Sequence, residues 1–176
     1  MKVRILIFCC ILCFGCSRVE PRKPIHPKPS TTILLETIEE SKKLNKLEDD
    51  KIINLIKQDS TKKYQVSPNG FWYSYIRKVQ EEIPFAKTGD EVEIEYNIAD
   101  LKGNIIYSKE ELGVKKYKVD KEDFLSGLQS GIKLMKVGET ITFVIPSYNA
   151  FGISGDGNKI GINQSIISTV TLINIK

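Results

Sequence analysis

Alternation of apolar and polar positions is clearest from Glu91 to Ile98. There Val92, Ile94, Tyr96 and Ile98 stand between Glu91, Glu93, Glu95 and Asn97. A period of two predicts a strand with one buried face and one in water. After the turn signal Ser67-Pro68-Asn69-Gly70, the aromatic run Phe71 to Ile76 predicts another strand, with Phe71, Tyr73 and Tyr75 on one face. Lys102-Gly103-Asn104 predicts a hairpin turn into Ile105 to Tyr107, and a short strand is expected over about Lys116 to Val119. Alternation returns at Ile141, Phe143 and Ile145, and a last strand is expected from Ile166 to Ile175. Only one segment of the second half has helical spacing: Leu125, Leu128, Ile132 and Met135 form a stripe within Phe124 to Met135, ended by Val137-Gly138-Glu139. Strands with a lone helix among them predict an α+β fold, an antiparallel sheet wrapped around one short helix.

The N-terminal third reads differently. Residues 1–15 carry Lys2 and Arg4 and then run apolar from Ile5 to Phe14, too short to span a bilayer. The stretch Leu12-Cys13-Phe14-Gly15-Cys16 resembles a lipobox, although Cys13 stands where an aliphatic residue is usual. A signal peptide over 1–15 and lipid attachment at Cys16 are therefore expected. Residues 16–30 hold Pro21, Pro24, Pro27 and Pro29, a tether that is either extended and semi-rigid or simply unstructured. A helical extension is expected over 31–66, with Thr32 as a cap and one or two amphipathic helices carrying Leu34, Leu35, Ile38, Leu47, Ile52, Ile53 and Ile56. Its charge-mixed outer faces read as solvated surface. Residues 67–86 form a lead-in strand and 87–176 the main domain.

All four cysteines (Cys9, Cys10, Cys13 and Cys16) fall at or before the expected lipidation site, so the body after Cys16 has no disulfide, thiolate nucleophile or cysteine-ligated metal. Without Lys2 and Arg4 the 26 basic residues become 24 against 22 acidic ones, a net +2 that argues against a nucleic-acid partner. The one histidine, His26, lies in the tether, so the domain has no candidate for histidine acid–base or triad chemistry. Gly152 to Gly157 lacks the Lys and helix of a phosphate loop, and Asp156 has too few neighbours to bind a metal. No cofactor is expected.

Several motifs in order resemble the FK506-binding-type peptidyl-prolyl isomerases. They are Thr88 to Tyr96; Phe124-Leu125-Ser126-Gly127-Leu128 with Gly131-Ile132 and Met135 to Glu139; Ile145-Pro146-Ser147 with Ala150-Phe151-Gly152; and Val170-Thr171-Leu172 with Ile175. With the leader, the Asn69 to Tyr73 lead-in and Ile106-Tyr107-Ser108, the whole is similar to gliding-motility-associated lipoproteins of this type from Bacteroidetes.

The resemblance implies catalysis of X-Pro isomerisation. Amide resonance sets a barrier of about 18–20 kcal/mol, so uncatalysed exchange takes roughly tens of seconds. Lowering it needs no nucleophile or metal: a water-poor apolar cleft favours the twisted, less dipolar amide, and donors fix the flanking carbonyls.

Carried over by position, the family's pocket falls on Tyr96, Ile106, Tyr107, Tyr117, Phe124, Leu125, Leu128, Phe151 and Ile160, with the Leu125 N–H available to a substrate carbonyl and a flap from about Gly152. Four positions depart from the family: Tyr107 stands for an aspartate, Leu128 for a tryptophan, Phe151 for a tyrosine and Ser168 for a phenylalanine. The expected partners are proline-containing segments, the membrane through Cys16, and a cell-envelope complex. Two functions follow: a membrane-anchored folding isomerase, or a binding module of the same fold with weakened catalysis.

Overall fold

Each segment with strand alternation enters one antiparallel sheet in the computed structural model, which describes residues 30–176. The leader, Cys16 and the prolines of the tether lie outside the described residues. The strands are β1 (Gln65–Ser67), β2 (Phe71–Arg77), β3 (Glu91–Tyr96), β4 (Ile98–Ala99), β5 (Ile105–Tyr107), β6 (Val114–Lys118), β7 (Thr140–Ile145) and β8 (Ile166–Ile175). Their order is β1-β2-β7-β8-β3-β6, with β4 joining β5 and β8. Strand β2, read as a lead-in, is thus an interior strand of the sheet.

Among the described residues three α-helices accompany the strands: α1 (Ser30–Gln58), α2 (Lys109–Leu112) and α3 (Ser126–Ile132). Two expectations need correction here. Within the extension expected over 31–66 there is a single helix, Ser30–Gln58, so Thr32 lies inside it and does not cap it; after Gln58, Asp59 turns the chain by accepting the Thr61 N–H at 3.0 Å. The second half holds more than one helical segment, since α2 forms a single turn. Ser108 Oγ accepts the Glu111 N–H at 3.2 Å to start it, and Gly113, at φ 63°, ends it. Helix α3 is also shorter than its apolar stripe. Beyond Ile132 the chain tightens, the N–H groups of Leu134 and Met135 each reaching back three residues, to Gly131 and Ile132.

The chain falls into two compact units, residues 1–38 and 39–176. Of the first, the described part is the start of α1. The second holds the sheet, buried on both faces. On one face Phe71, Val92, Ile94, Ile141, Phe143, Ile145, Val170 and Leu172 meet Leu128, Ile132 and Met135. Close approach of α3 depends on glycine: a Cβ at Gly131 would lie 2.6 Å from Phe143 Cε1. On the other face Trp72 and Val144 meet Ile52 of α1, which is fully buried. Burying such an isoleucine contributes about 1.5–3 kcal/mol. The part of α1 after residue 38 is therefore built into this unit.

Candidate active site

The pleat of β3 turns Tyr96 to the same face as Val92 and Ile94. Strand β6 pairs Tyr117 with Val92, bringing a second ring to that face. Phe124, just before α3, stands between them. Its centroid is 5.6 Å from Tyr96 at an interplanar angle of 87°, and 4.7 Å from Tyr117 at 45°. Such ring pairs contribute about 0.5–1.5 kcal/mol beyond their buried area. Lys115 Nζ lies 5.4 Å from the Phe124 centroid, within cation–π range.

All nine residues carried over from the resemblance belong to one apolar cluster. Tyr96, Tyr117, Leu128 and Ile160 are buried, while Ile106, Tyr107, Phe124, Leu125 and Phe151 are half-buried and form its outer layer. Burial raises the pKa of the Tyr96 phenol. It does the same to Tyr117, with Asp120 and Tyr96 adding to the effect, and the Tyr117 hydroxyl has no hydrogen-bond partner among the described residues. The Leu125 carbonyl accepts the Gln129 N–H at 2.8 Å as α3 begins, while the Leu125 N–H is engaged by no described residue. That N–H is a donor at the edge of a water-poor surface.

One side of the cluster is closed by the loop from Ser147 to Ser165, which carries Phe151 and Ile160. Asp156 organises this flap: its Oδ1 accepts the N–H groups of Asn158 at 2.9 Å and Ile160 at 2.8 Å, and its own N–H donates to Ile160 O at 3.1 Å. Gly155 is required beside it. It sits at φ +66°, and a Cβ there would lie 2.3 Å from Ile160 O. Tyr107 then joins β5 to the flap, its hydroxyl donating to Asp156 Oδ2 at 2.5 Å and accepting from Asn158 Nδ2 at 3.1 Å. Lys159 Nζ stands 4.6 Å over the Tyr107 ring and pairs with Glu111 at 2.5 Å. The bond to Asp156, above all, raises the Tyr107 pKa. For Asp156, burial is the largest influence and acts upward. The hydrogen bonds from Tyr107, Asn158 and Ile160 together outweigh it and hold the carboxyl below its usual range.

The departures from the family pattern now have physical settings. Tyr107, expected from the resemblance to stand for an aspartate, reaches a carboxylate supplied by the flap. Ser168 is fully buried on the core face of β8, where its Oγ donates to Asn97 O at 2.7 Å. Thr169 N–H adds a bond to Asn97 Oδ1 at 2.8 Å, and together they stitch the break between β3 and β4 beside Tyr96. Phe151 brings no hydroxyl, and Leu128 is core beneath the rings. Two site residues escaped the sequence reading: Asp156, considered only as a metal ligand, and Lys159. The Gly-Asp-Gly-Asn run was a readable signal for the first, because aspartate in such a turn commonly caps the backbone N–H two residues on. Two surface grooves lie elsewhere, one between α1 and the loops at Leu101, Ile153 and Gln164, the other beside Gln65 and Tyr75.

Comparison with known proteins fits this geometry. The fold is similar to the crystal structure of a peptidyl-prolyl cis-trans isomerase from Pseudomonas syringae pv. tomato. The TM-score is 0.57 at 18% identity, over 86% of this chain and 98% of that one, a likeness of fold. A family profile described as FKBP-type peptidyl-prolyl cis-trans isomerase matches residues 84–173. That span is about half the chain and runs from the approach to β3 almost to the end of β8, taking in all nine residues carried over from the resemblance. By that match the chain belongs to the FKBP-type peptidyl-prolyl cis-trans isomerase family.

Proposed function

We propose that this isomerase works in the cell envelope, tethered through a lipid on Cys16, on X-Pro bonds of exported or surface proteins. The observation that carries the catalytic part is the union of Tyr96, Phe124, Leu125, Phe151 and Ile160 in one apolar cluster with a free backbone donor at its edge. Packed against these side chains, a prolyl ring would leave water, and the surroundings would favour the twisted amide, whose dipole is smaller than that of the planar one. The Leu125 N–H would hold the carbonyl beside the rotating bond. No proton is transferred and no covalent bond to the protein forms.

Support for the envelope setting is the basic and apolar leader ending in Gly15-Cys16. A role in a gliding or secretion apparatus draws only on the resemblance to gliding-associated lipoproteins. The test of catalysis is cis–trans exchange of a proline peptide with the full-length chain in detergent. Acceleration is expected, abolished by Tyr96→Ala or Phe151→Ala in a protein that still folds; no acceleration by the unaltered chain would refute it. Cys16→Ser should release the protein from membranes, and retention there would refute the anchor.

One contact favours a second reading, a binding module that docks an envelope partner with little catalysis. The Tyr107–Asp156 bond ties the flap to β5, and a flap so held resists the opening and closing that turnover requires. Wild-type-like flap protection together with absent exchange activity would select that reading.

A further inference from the structure

We infer that Glu48 of α1 is a positioning residue of the prolyl site, because its single carboxylate clamps both roots of the flap. The inference rests on the isomerase reading for its effect on substrate, but the clamp itself is a matter of geometry.

The ladder between β7 and β8 ends at the pair Ile145 and Ile166. Immediately beyond it the two limbs of the flap leave the sheet, and Glu48 meets them there. Its Oε1 accepts the Ser147 N–H at 2.7 Å, its Oε2 accepts Ser147 Oγ–H at 2.8 Å, and the Ser165 hydroxyl donates to Oε1 as well. Ser147 and Ser165 are both buried. Three donors from two limbs converge on one charged acceptor, and bonds to a charged acceptor are the stronger kind. Asp49, next along the helix, accepts from the Tyr148 hydroxyl at 2.8 Å. From the opposite side Asn149 Nδ2 donates to the carbonyls of Asn69 and Gly70, each at 2.9 Å. The turn at 147–149 is thus held from both sides, and Phe151 follows it after Ala150.

The physical consequence concerns freedom of the flap. Pinning both roots of a loop to one point removes conformations in which the limbs splay, and fewer remain to be lost when a substrate orders the loop. Phe151 and Ile160 hang from these two limbs. The clamp therefore acts on the cluster without touching it. Glu48 lies outside residues 84–173, so the family's common span does not contain this part of the site.

The experiment compares Glu48→Ala, Glu48→Gln and Ser165→Ala in the full-length chain, reading KM and kcat for a proline peptide and amide exchange of the flap. Glutamine keeps an oxygen for the Ser147 N–H and the Ser165 hydroxyl, and its amide can donate to Ser147 Oγ. Glu48→Ala should raise KM about five- to tenfold with kcat nearly kept, and speed amide exchange in residues 150–160 but not in β3 or β8. Glu48→Gln should restore most of both, and Ser165→Ala should show a smaller effect of the same kind. Unchanged flap exchange in Glu48→Ala would overturn the clamp, as would a loss of protection spread evenly over the whole unit. Should Glu48→Ala fail to fold, Ser165→Ala decides on the same readouts. If the unaltered chain accelerates no exchange, the isomerase reading fails, while flap exchange still judges the clamp.

Discussion

The Tyr107 hydroxyl donates to Asp156 Oδ2 at 2.5 Å, joining β5 to the flap across 49 positions of the chain. A separation this short is expected when a hydroxyl meets an ionised carboxylate. Tyr107→Phe keeps the ring under Lys159 and removes this bond together with the one accepted from Asn158 Nδ2. Amide exchange at Gly155 to Ile160 should quicken several-fold, with little change in melting temperature because the group stands near solvent. Exchange at wild-type rates would show that the bond does not hold the flap.

Stability should fall in acid through two carboxyls. Lys133 at 2.6 Å and Thr88 lower the pKa of Asp120, and the bonds around Asp156 lower that one against the upward pull of burial. A carboxyl whose folded pKa is depressed contributes stability above its unfolded pKa, near 3.9, and loses it as pH falls through the lower folded value. Melting temperature should therefore hold down to about pH 4 as far as these groups are concerned, then drop. Asp120→Asn should lower it at neutral pH and flatten the acid limb. An unchanged acid limb would contradict the assignment.

Tyr117 is buried with an unpartnered hydroxyl, so deleting the oxygen removes a desolvation cost and nothing else in the described structure. Tyr117→Phe should raise stability by about 1 kcal/mol in chemical denaturation. Peptide exchange should be unaffected. A destabilised variant would mean the hydroxyl has a partner.

Gly127 lets the start of α3 lie on β7. A Cβ there would meet Ile145 Cγ2 at 2.6 Å and Asn149 O at 3.0 Å. Alanine gains about 1 kcal/mol in helix propensity, and overpacking costs about 1–3 kcal/mol, so the net loss should be about 0–2 kcal/mol. The shift also moves Leu125 and should raise KM. A stabilised Gly127→Ala would show that α3 yields more freely than its contacts suggest.

Local order was legible in the residues wherever burial is periodic. The bounds of β8, Ile166–Ile175, and the buried set Val92, Ile94, Tyr96 and Ile98 follow from alternation alone. The nine pocket residues came from the family resemblance, position by position, and the structure sets them in one apolar cluster. Helix α2 escaped because four residues hold barely one helical period and leave only the Ser108 cap as a signal. Glu48 and Asp49 read as solvated charges because their partners lie 99 to 117 positions away, and nothing local marks such a contact. The Tyr107–Asp156 bond escaped for the same reason.

Strand β7 serves two interiors at once: Ile141, Phe143 and Ile145 look toward α3, and Val144 looks toward Ile52. Adding or deleting one residue within it would exchange these allegiances, setting Val144 among the rings and Phe143 beneath the long helix. Such a lineage could remodel its prolyl cleft by substitution, or by changing loop length, but not by sliding this ribbon. Variation in related chains should accordingly spare the length of Thr140–Ile145 and gather in the segment that follows it.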